Sequence, residues 1–220
     1  MVINFPASAL IIIDVQNDFC PGGELGVENG DQVIEPLNRL SMHFAARAGR
    51  VVATQDWHPA NHVSFAASHK NKKPGDKVDI PLQNGAGIIE QILWPVHCVQ
   101  GSRGADFHEG LDLRPINIII RKGFRCGLDS YSAFFENDRK TSTGLDGYLK
   151  TLSIDTLVLG GLATDYCVLY SALDAVTLGY KTIVVLDAVR GVGIPEGSVK
   201  RALALLEQAG VLIAQSGDFL

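Results

Sequence analysis

The chain has 220 residues, enough for one ordinary α/β domain, and 46% of them are hydrophobic, which supplies a core without disulfides or a structural metal. A net charge of −5, with no long run of like charges, argues against a nucleic-acid partner, which calls for a basic face. The opening stretch "MVINFPASALIIID" has no basic leader and is interrupted by Asp14, so neither a signal peptide nor a membrane span is expected.

In chain order, short apolar blocks recur at 8–14, 50–56, 116–122, 155–161, 181–187 and 210–214. None alternates with period two, as expected for strands covered on both faces of a parallel sheet. The block at 116–122 reads as a central strand. Helical patterns lie between them. Residues 31–49 carry Val33, Ile34, Leu37, Leu40 and Phe44 on one stripe and end at Gly49, read as a left-handed cap. Residues 164–179 and 195–210 also end on glycine, and the second opens on Pro195. Residues 56–115 hold no strand-like block, yet they contain both tryptophans and every histidine except His43. The expectation is one domain over 1–220, a doubly wound parallel sheet of about six strands with helices on both faces.

In such a sheet, ligands bind beyond the carboxyl ends of the strands. The first strand ends at Asp14, the 116–122 strand at Lys122, and the 155–161 strand leads through Ala163 to Cys167 at the start of a helix. A thiol attacks as thiolate, and both a helix N-terminus and a lysine lower its pKa. Cys167 is expected to have both, with Asp14 as proton acceptor. Each residue also has an ordinary reading: a packed thiol, a capping carboxylate, a lysine reaching to solvent. Their convergence is the distinguishing claim.

A second group comprises Asp56, His58 and, in a distant loop, His97. One carboxylate and two imidazoles with open positions suit a divalent transition metal, zinc first, with manganese or iron as alternatives. His62 and Ser64 are candidates for further ligands, water being the other. His69 and His108 read as solvated, and Cys98 as a packed thiol. The four cysteines, including Cys20 and Cys126, are too irregularly spaced for a disulfide framework, which suggests reduced thiols in a cytoplasmic protein.

The segments "IIIDVQNDFCPGG", "QDWHPANHVSFA", "WPVHCVQGSRGADFH", "RKGF…DSYSAFF" and "GLATDYCV" resemble, in order, the motifs of the nicotinamidase branch of the isochorismatase-like cysteine hydrolases, from about residue 8 to about residue 195. The resemblance implies a catalytic triad of Asp14, Lys122 and Cys167, and metal ligands Asp56, His58 and His97. It also implies a cis peptide between Leu162 and Ala163 that turns the N–H groups of Ala163 and Cys167 into an oxyanion hole. Phe19, Trp94, Tyr131 and Leu162 would line the substrate pocket. A position held by glutamate in some relatives falls at Ala67.

The implied reaction is hydrolysis of nicotinamide to nicotinate and ammonia through a thioester, serving NAD salvage. Family members occur as monomers and larger assemblies, so a homo-oligomer stays open. Sibling amidases acting on N-carbamoyl or ureido compounds keep the triad and are the main rival. A phosphotransferase of the dehalogenase type would need an aspartate where Gln16 stands. A non-catalytic metal- or ligand-binding relative is the third reading.

Overall fold

The structure, a computed structural model, describes residues 3–82 and 87–220. Its frame is a six-stranded parallel sheet. β1 (Ser8–Ile13), β2 (Arg50–Asp56), β5 (Ile118–Lys122), β6 (Thr156–Leu162), β7 (Lys181–Arg190) and β8 (Leu212–Ala214) lie in the order β5-β2-β1-β6-β7-β8. The chain winds outward one way from β1 through β2 to β5, then restarts at β6 on the other side of β1. The topological switch point is therefore between β1 and β6, where an open α/β sheet leaves a crevice at its carboxyl edge.

β1 explains why the apolar runs do not alternate. All six of its residues are buried: Ala9, Ile11 and Ile13 face one core layer, Leu10 and Ile12 the other. Helix α1 (Ile34–Ala45) covers the second layer with Leu37, Leu40 and Phe44. Three helices serve the first layer: α2 (Leu145–Thr151), α3 (Leu169–Thr177) and α4 (Ser198–Gln208) contribute Leu145 and Leu149, Leu169 and Ala172, and Ala202 and Leu206. The two glycines ending β6 belong to this packing. A Cβ on Gly161 would lie 2.1 Å from the Ile13 carbonyl oxygen, so β6 approaches β1 this closely only with glycine there.

Several details depart from the sequence reading. The 118–122 strand is an edge strand, not a central one, and Ile119 on it is exposed. After α1 the left-handed residue is Ala48 (φ 61°), whereas Gly49 is glycine because a Cβ would meet the Phe44 ring at 2.8 Å. Pro195 does not open α4; it follows a cis peptide bond, and the helix starts at Ser198 after Gly197. Residues 56–115 contain an antiparallel pair, β3 (Lys77–Pro81) and β4 (Ile88–Ile92), outside the main sheet. Its strands are short and mostly solvent-facing, so no buried block announces them. Helix α2, only seven residues long, has too few turns for its period to stand out in the sequence. No helix among the described residues is long and apolar enough to cross a membrane.

Candidate active site

β2 and β5 end level with one another, with Asp56 and Lys122 directly paired in register. Asp14 follows β1 in a left-handed conformation (φ 49°), which turns its carboxylate toward the crevice. The Lys122 ammonium is fully buried and lies 2.9 Å from Asp14 Oδ2, 2.5 Å from Asp56 Oδ1, 2.9 Å from the Ser130 carbonyl oxygen and 3.5 Å from Cys167 Sγ. Sγ and carboxylate oxygens of Asp14 and Asp56 lie within 4.8 Å of one another. The thiol, the acid and the ammonium expected to converge do so.

Cys167 sits in a single π-helical turn, Thr164–Val168, between β6 and α3, directly after the cis bond Leu162–Ala163. Turns of this kind recur at functional sites because they push one side chain out of the regular helical path.

The electrostatics differ from the expectation in one respect. Burial pushes the Cys167 thiol well above its ordinary pKa; Lys122 pulls it down, but Asp14 and Asp56 push it up again. Burial and the two carboxylates thus oppose ionisation of the sulfur more than the lysine favours it. Asp14 is also displaced upward, first by burial and then by Asp56, against the lowering effect of Lys122 and Thr54. Lys122 stays charged. Burial alone would lower its pKa, but Asp14, Asp56 and Cys167 together raise it well above the ordinary value.

Asp56, His58 and His97 are all buried, with a ligand atom from each inside a 4.8 Å circle. His58 Nδ1 is 2.8 Å from the Gly123 carbonyl oxygen and His97 Nδ1 is 2.8 Å from that of Pro95. These bonds fix the ring orientations and leave Nε2 of each ring as the remaining donor atom, as in outer-shell support of metal-bound histidines. His58 Nε2 lies 3.4 Å from Asp56 Oδ2. Gly123 (φ 64°) permits this arrangement, since a Cβ there would strike the His58 ring at 2.4 Å. The donor set and its supports fit a divalent transition metal.

Between the two groups lies a pocket with about 370 Å³ of empty space, part of it open to solvent, walled by Phe19, Trp94, Tyr131, Tyr166, Val192 and Ala163, with Cys167, Asp56, His58 and His97 on its surface. The Tyr131 hydroxyl accepts from Trp94 Nε1 and Gln91 Nε2, both at 3.1 Å, which locks two aromatic walls together. Leu162 is not part of the wall: it is fully buried in the layer under α1. The strand period turns its side chain away from the crevice.

The isochorismatase domain model matches residues 8–217. The chain belongs to the isochorismatase family. Within that family it is 46% identical over 212 residues to the nicotinamidase of Acinetobacter baylyi, covering 96% of this chain and 94% of that one. Its fold matches a nicotinamidase/pyrazinamidase structure from Acinetobacter baumanii with TM-score 0.90 and 47% identity, covering 98% and 99% of the two chains. It also matches the pyrazinamidase of Pyrococcus horikoshii in complex with zinc, with TM-score 0.76 and 34% identity over 96% and 99%.

Other residues complete the site of this isochorismatase-family protein. Thr54 donates to Asp14 Oδ1 at 2.6 Å and accepts from the Asp14 N–H at 3.2 Å. Gln16 donates to the Asp56 carbonyl and accepts from the Asp56 N–H, both at 2.8 Å, pinning the end of β2. Asp18 accepts from the Cys98 N–H at 2.7 Å and so fixes the turn that carries His97. Asp129, buried on the pocket wall, accepts from Gln91 at 2.9 Å. Gln16 and Asp18 lie in the motif around Asp14, and Asp129 opens the motif "DSYSAFF"; nothing in the spacing singled out Thr54.

His62 stacks on His58, with ring centroids 4.2 Å apart. Its Nδ1 is 2.7 Å from Ser64 Oγ and its Nε2 is 3.2 Å from the Leu128 carbonyl oxygen. His62 and Ser64 therefore occupy one another in this structure, although His62 also groups with His58 and Asp129 within 4.8 Å. Cys98 is buried as expected, and its carbonyl accepts from the His58 N–H at 3.0 Å. His69 is not simply solvated, since its Nε2 is 2.7 Å from the Val63 carbonyl oxygen. Cys126 is exposed, with its Sγ 3.1 Å from the Asn61 carbonyl oxygen.

Proposed function

We propose that this chain hydrolyses nicotinamide to nicotinate and ammonia, the reaction that returns pyridine to NAD synthesis, with Cys167 as nucleophile. The observation that carries the reading is the position of the Cys167 sulfur, on the wall of a small aromatic pocket, 3.5 Å from Lys122 and within 4.8 Å of Asp14. The nicotinamidase relatives support the choice of substrate.

The pyridine ring packs among Phe19, Trp94 and Tyr131, which leaves the carboxamide over Cys167. Asp14 accepts the thiol proton as sulfur bonds to the amide carbon, and the carbonyl π electrons move onto oxygen. Lys122 holds the two carboxylates and the sulfur in register without giving up its own proton. The backbone N–H groups of Ala163 and Cys167 receive the oxyanion. Collapse breaks the carbon–nitrogen bond, protonated Asp14 supplies the departing nitrogen with its proton, and a thioester remains. Asp14 then takes a proton from water attacking that thioester, the carbon–sulfur bond breaks, and the proton returns to sulfur as nicotinate leaves.

Asp56, His58 and His97 would hold the divalent ion; zinc is the first choice, given the relative solved in complex with zinc, with manganese or iron as alternatives. When bound, such an ion supplies a Lewis-acid anchor for a ring nitrogen.

The test is ammonia release from nicotinamide by the wild-type chain and by Cys167→Ala. The variant should bind nicotinate and lose turnover. Near-normal turnover by the variant would overturn the assignment of the nucleophile, and faster wild-type release from an N-carbamoyl compound would overturn the choice of substrate.

A further inference from the structure

The two residues immediately before the nucleophile reach away from it, to the same loop. Asp165 is buried. Its Oδ1 accepts from the Val192 N–H at 2.9 Å, and its Oδ2 accepts from the Gly193 N–H at 2.9 Å and from Ser198 Oγ at 2.5 Å. The Tyr166 hydroxyl donates to the Ile194 carbonyl at 2.6 Å. Val192 and Tyr166 both stand on the pocket wall. Residues 191–197 join β7 to α4 with no helix or strand hydrogen bonding of their own, so these side chains take the place that a ladder would otherwise fill.

We propose that Asp165 is a positioning residue for the reaction: with Tyr166 it clamps residues 192–194 so that Val192 closes the pocket over the substrate ring. A backbone segment held by one carboxylate through two N–H groups and a hydroxyl has little freedom, because hydrogen bonds to an ionised acceptor are about twice as strong as neutral ones. The clamp arises from the same turn that carries Cys167, so wall and nucleophile are placed by one element. This differs from capping or fold stability, since the clamped segment borders the substrate site. Asp165 touches no reacting atom and acts only through Val192.

The inference rests on the proposed nicotinamide hydrolysis for its kinetic arm, and has a second arm that does not. In the kinetic arm, Asp165→Ala should raise KM for nicotinamide about tenfold while changing kcat by less than about threefold, the mark of lost binding without lost chemistry. Asp165→Asn, which keeps one acceptor oxygen, should fall between, and so should Ser198→Ala, which removes one of the three bonds to Asp165. The double variant Asp165→Ala/Val192→Gly should have the KM of Val192→Gly alone, since residues acting through one contact are non-additive.

In the second arm, hydrogen exchange followed by mass spectrometry on the whole protein should show faster exchange in the 191–197 segment of Asp165→Ala, with the sheet unchanged. A lowered Tm with unchanged KM and unchanged local exchange would overturn the proposal and leave Asp165 a stability residue. Additive KM effects would also overturn it. If Asp165→Ala does not fold, Asp165→Asn carries both arms, and a wild-type KM with wild-type exchange in that variant would overturn the proposal equally. Loosened exchange in a chain whose wild type does not hydrolyse nicotinamide would overturn the function and leave the clamp standing.

Discussion

Thr54→Val tests the assignment of Asp14 as the proton acceptor without touching substrate or nucleophile. Valine matches threonine in shape but removes the hydroxyl that donates to Asp14 Oδ1 at 2.6 Å. That bond favours the ionised carboxylate and is one of the influences holding the Asp14 pKa down against burial. A hydrogen bond to a charged group contributes about 1.5–3 kcal/mol, and each pKa unit corresponds to about 1.4 kcal/mol. Removing the bond should therefore raise the Asp14 pKa further. Asp14 must be ionised to take the thiol proton, so the acidic limb of the pH profile of kcat/KM should move to higher pH, with a loss of about ten- to a hundredfold at a fixed pH on that limb. Ammonia release measured across the acidic and neutral range would show the shift, with the high-pH plateau close to wild type. A limb that stays in place while the whole profile falls uniformly would refute the reasoning, because the hydroxyl would then not act through the ionisation of Asp14.

Lys122→Met leaves Asp14 and Asp56 buried without their cation. Breaking a buried pair costs about 3–5 kcal/mol, to be read from urea unfolding near neutral pH. The folded Asp14 pKa is raised further in this variant, so its contribution is most favourable at low pH and is lost as pH rises. The deficit against wild type should therefore shrink on acidification, and a constant deficit would argue against the buried charges as its source. Metal affinity gives a separate check. Burial, its largest influence, lowers the His58 pKa, but Asp56 above all, with Asp129 and the Gly123 carbonyl, raises it further. Burial and then His58 push His97 down to about 4. An incoming ion must therefore displace a proton from His58 but not from His97. Zinc affinity of the metal-free protein, measured by chelator competition, should rise about tenfold per pH unit until His58 is neutral, and an affinity independent of pH across that range would contradict the assignment.

The parallel sheet was readable because its central strands are buried on both sides, which forces unbroken apolar runs such as Ala9–Ile13. The edge position of β5 was not readable, since Ile118, Ile119 and Ile120 look alike in sequence although only Ile120 is buried. The β3–β4 pair escaped because charged and apolar residues mingle on a solvent-facing ribbon. Asp14, Asp56 and Lys122 announced themselves as polar residues closing apolar runs, a signal that follows directly from where such sheets bind ligands. Thr54 gave no such signal, being a threonine inside a strand whose importance depends on the neighbouring strand it faces. Leu162 shows the opposite failure: the resemblance implied a place in the pocket, but alternation along β6 sends its side chain into the core. The upward displacement of the Cys167 thiol was equally invisible, because it depends on the burial of sulfur beside two carboxylates and not on the presence of a lysine alone.

The proposed reaction requires a covalent bond to Cys167. Turnover of nicotinamide quenched in acid, followed by mass spectrometry of the digested chain, should find a nicotinoyl thioester on the peptide containing Cys167, and none in Cys167→Ala. Rapid wild-type turnover with the acyl group on another residue, or an undiminished rate in the alanine variant, would contradict it.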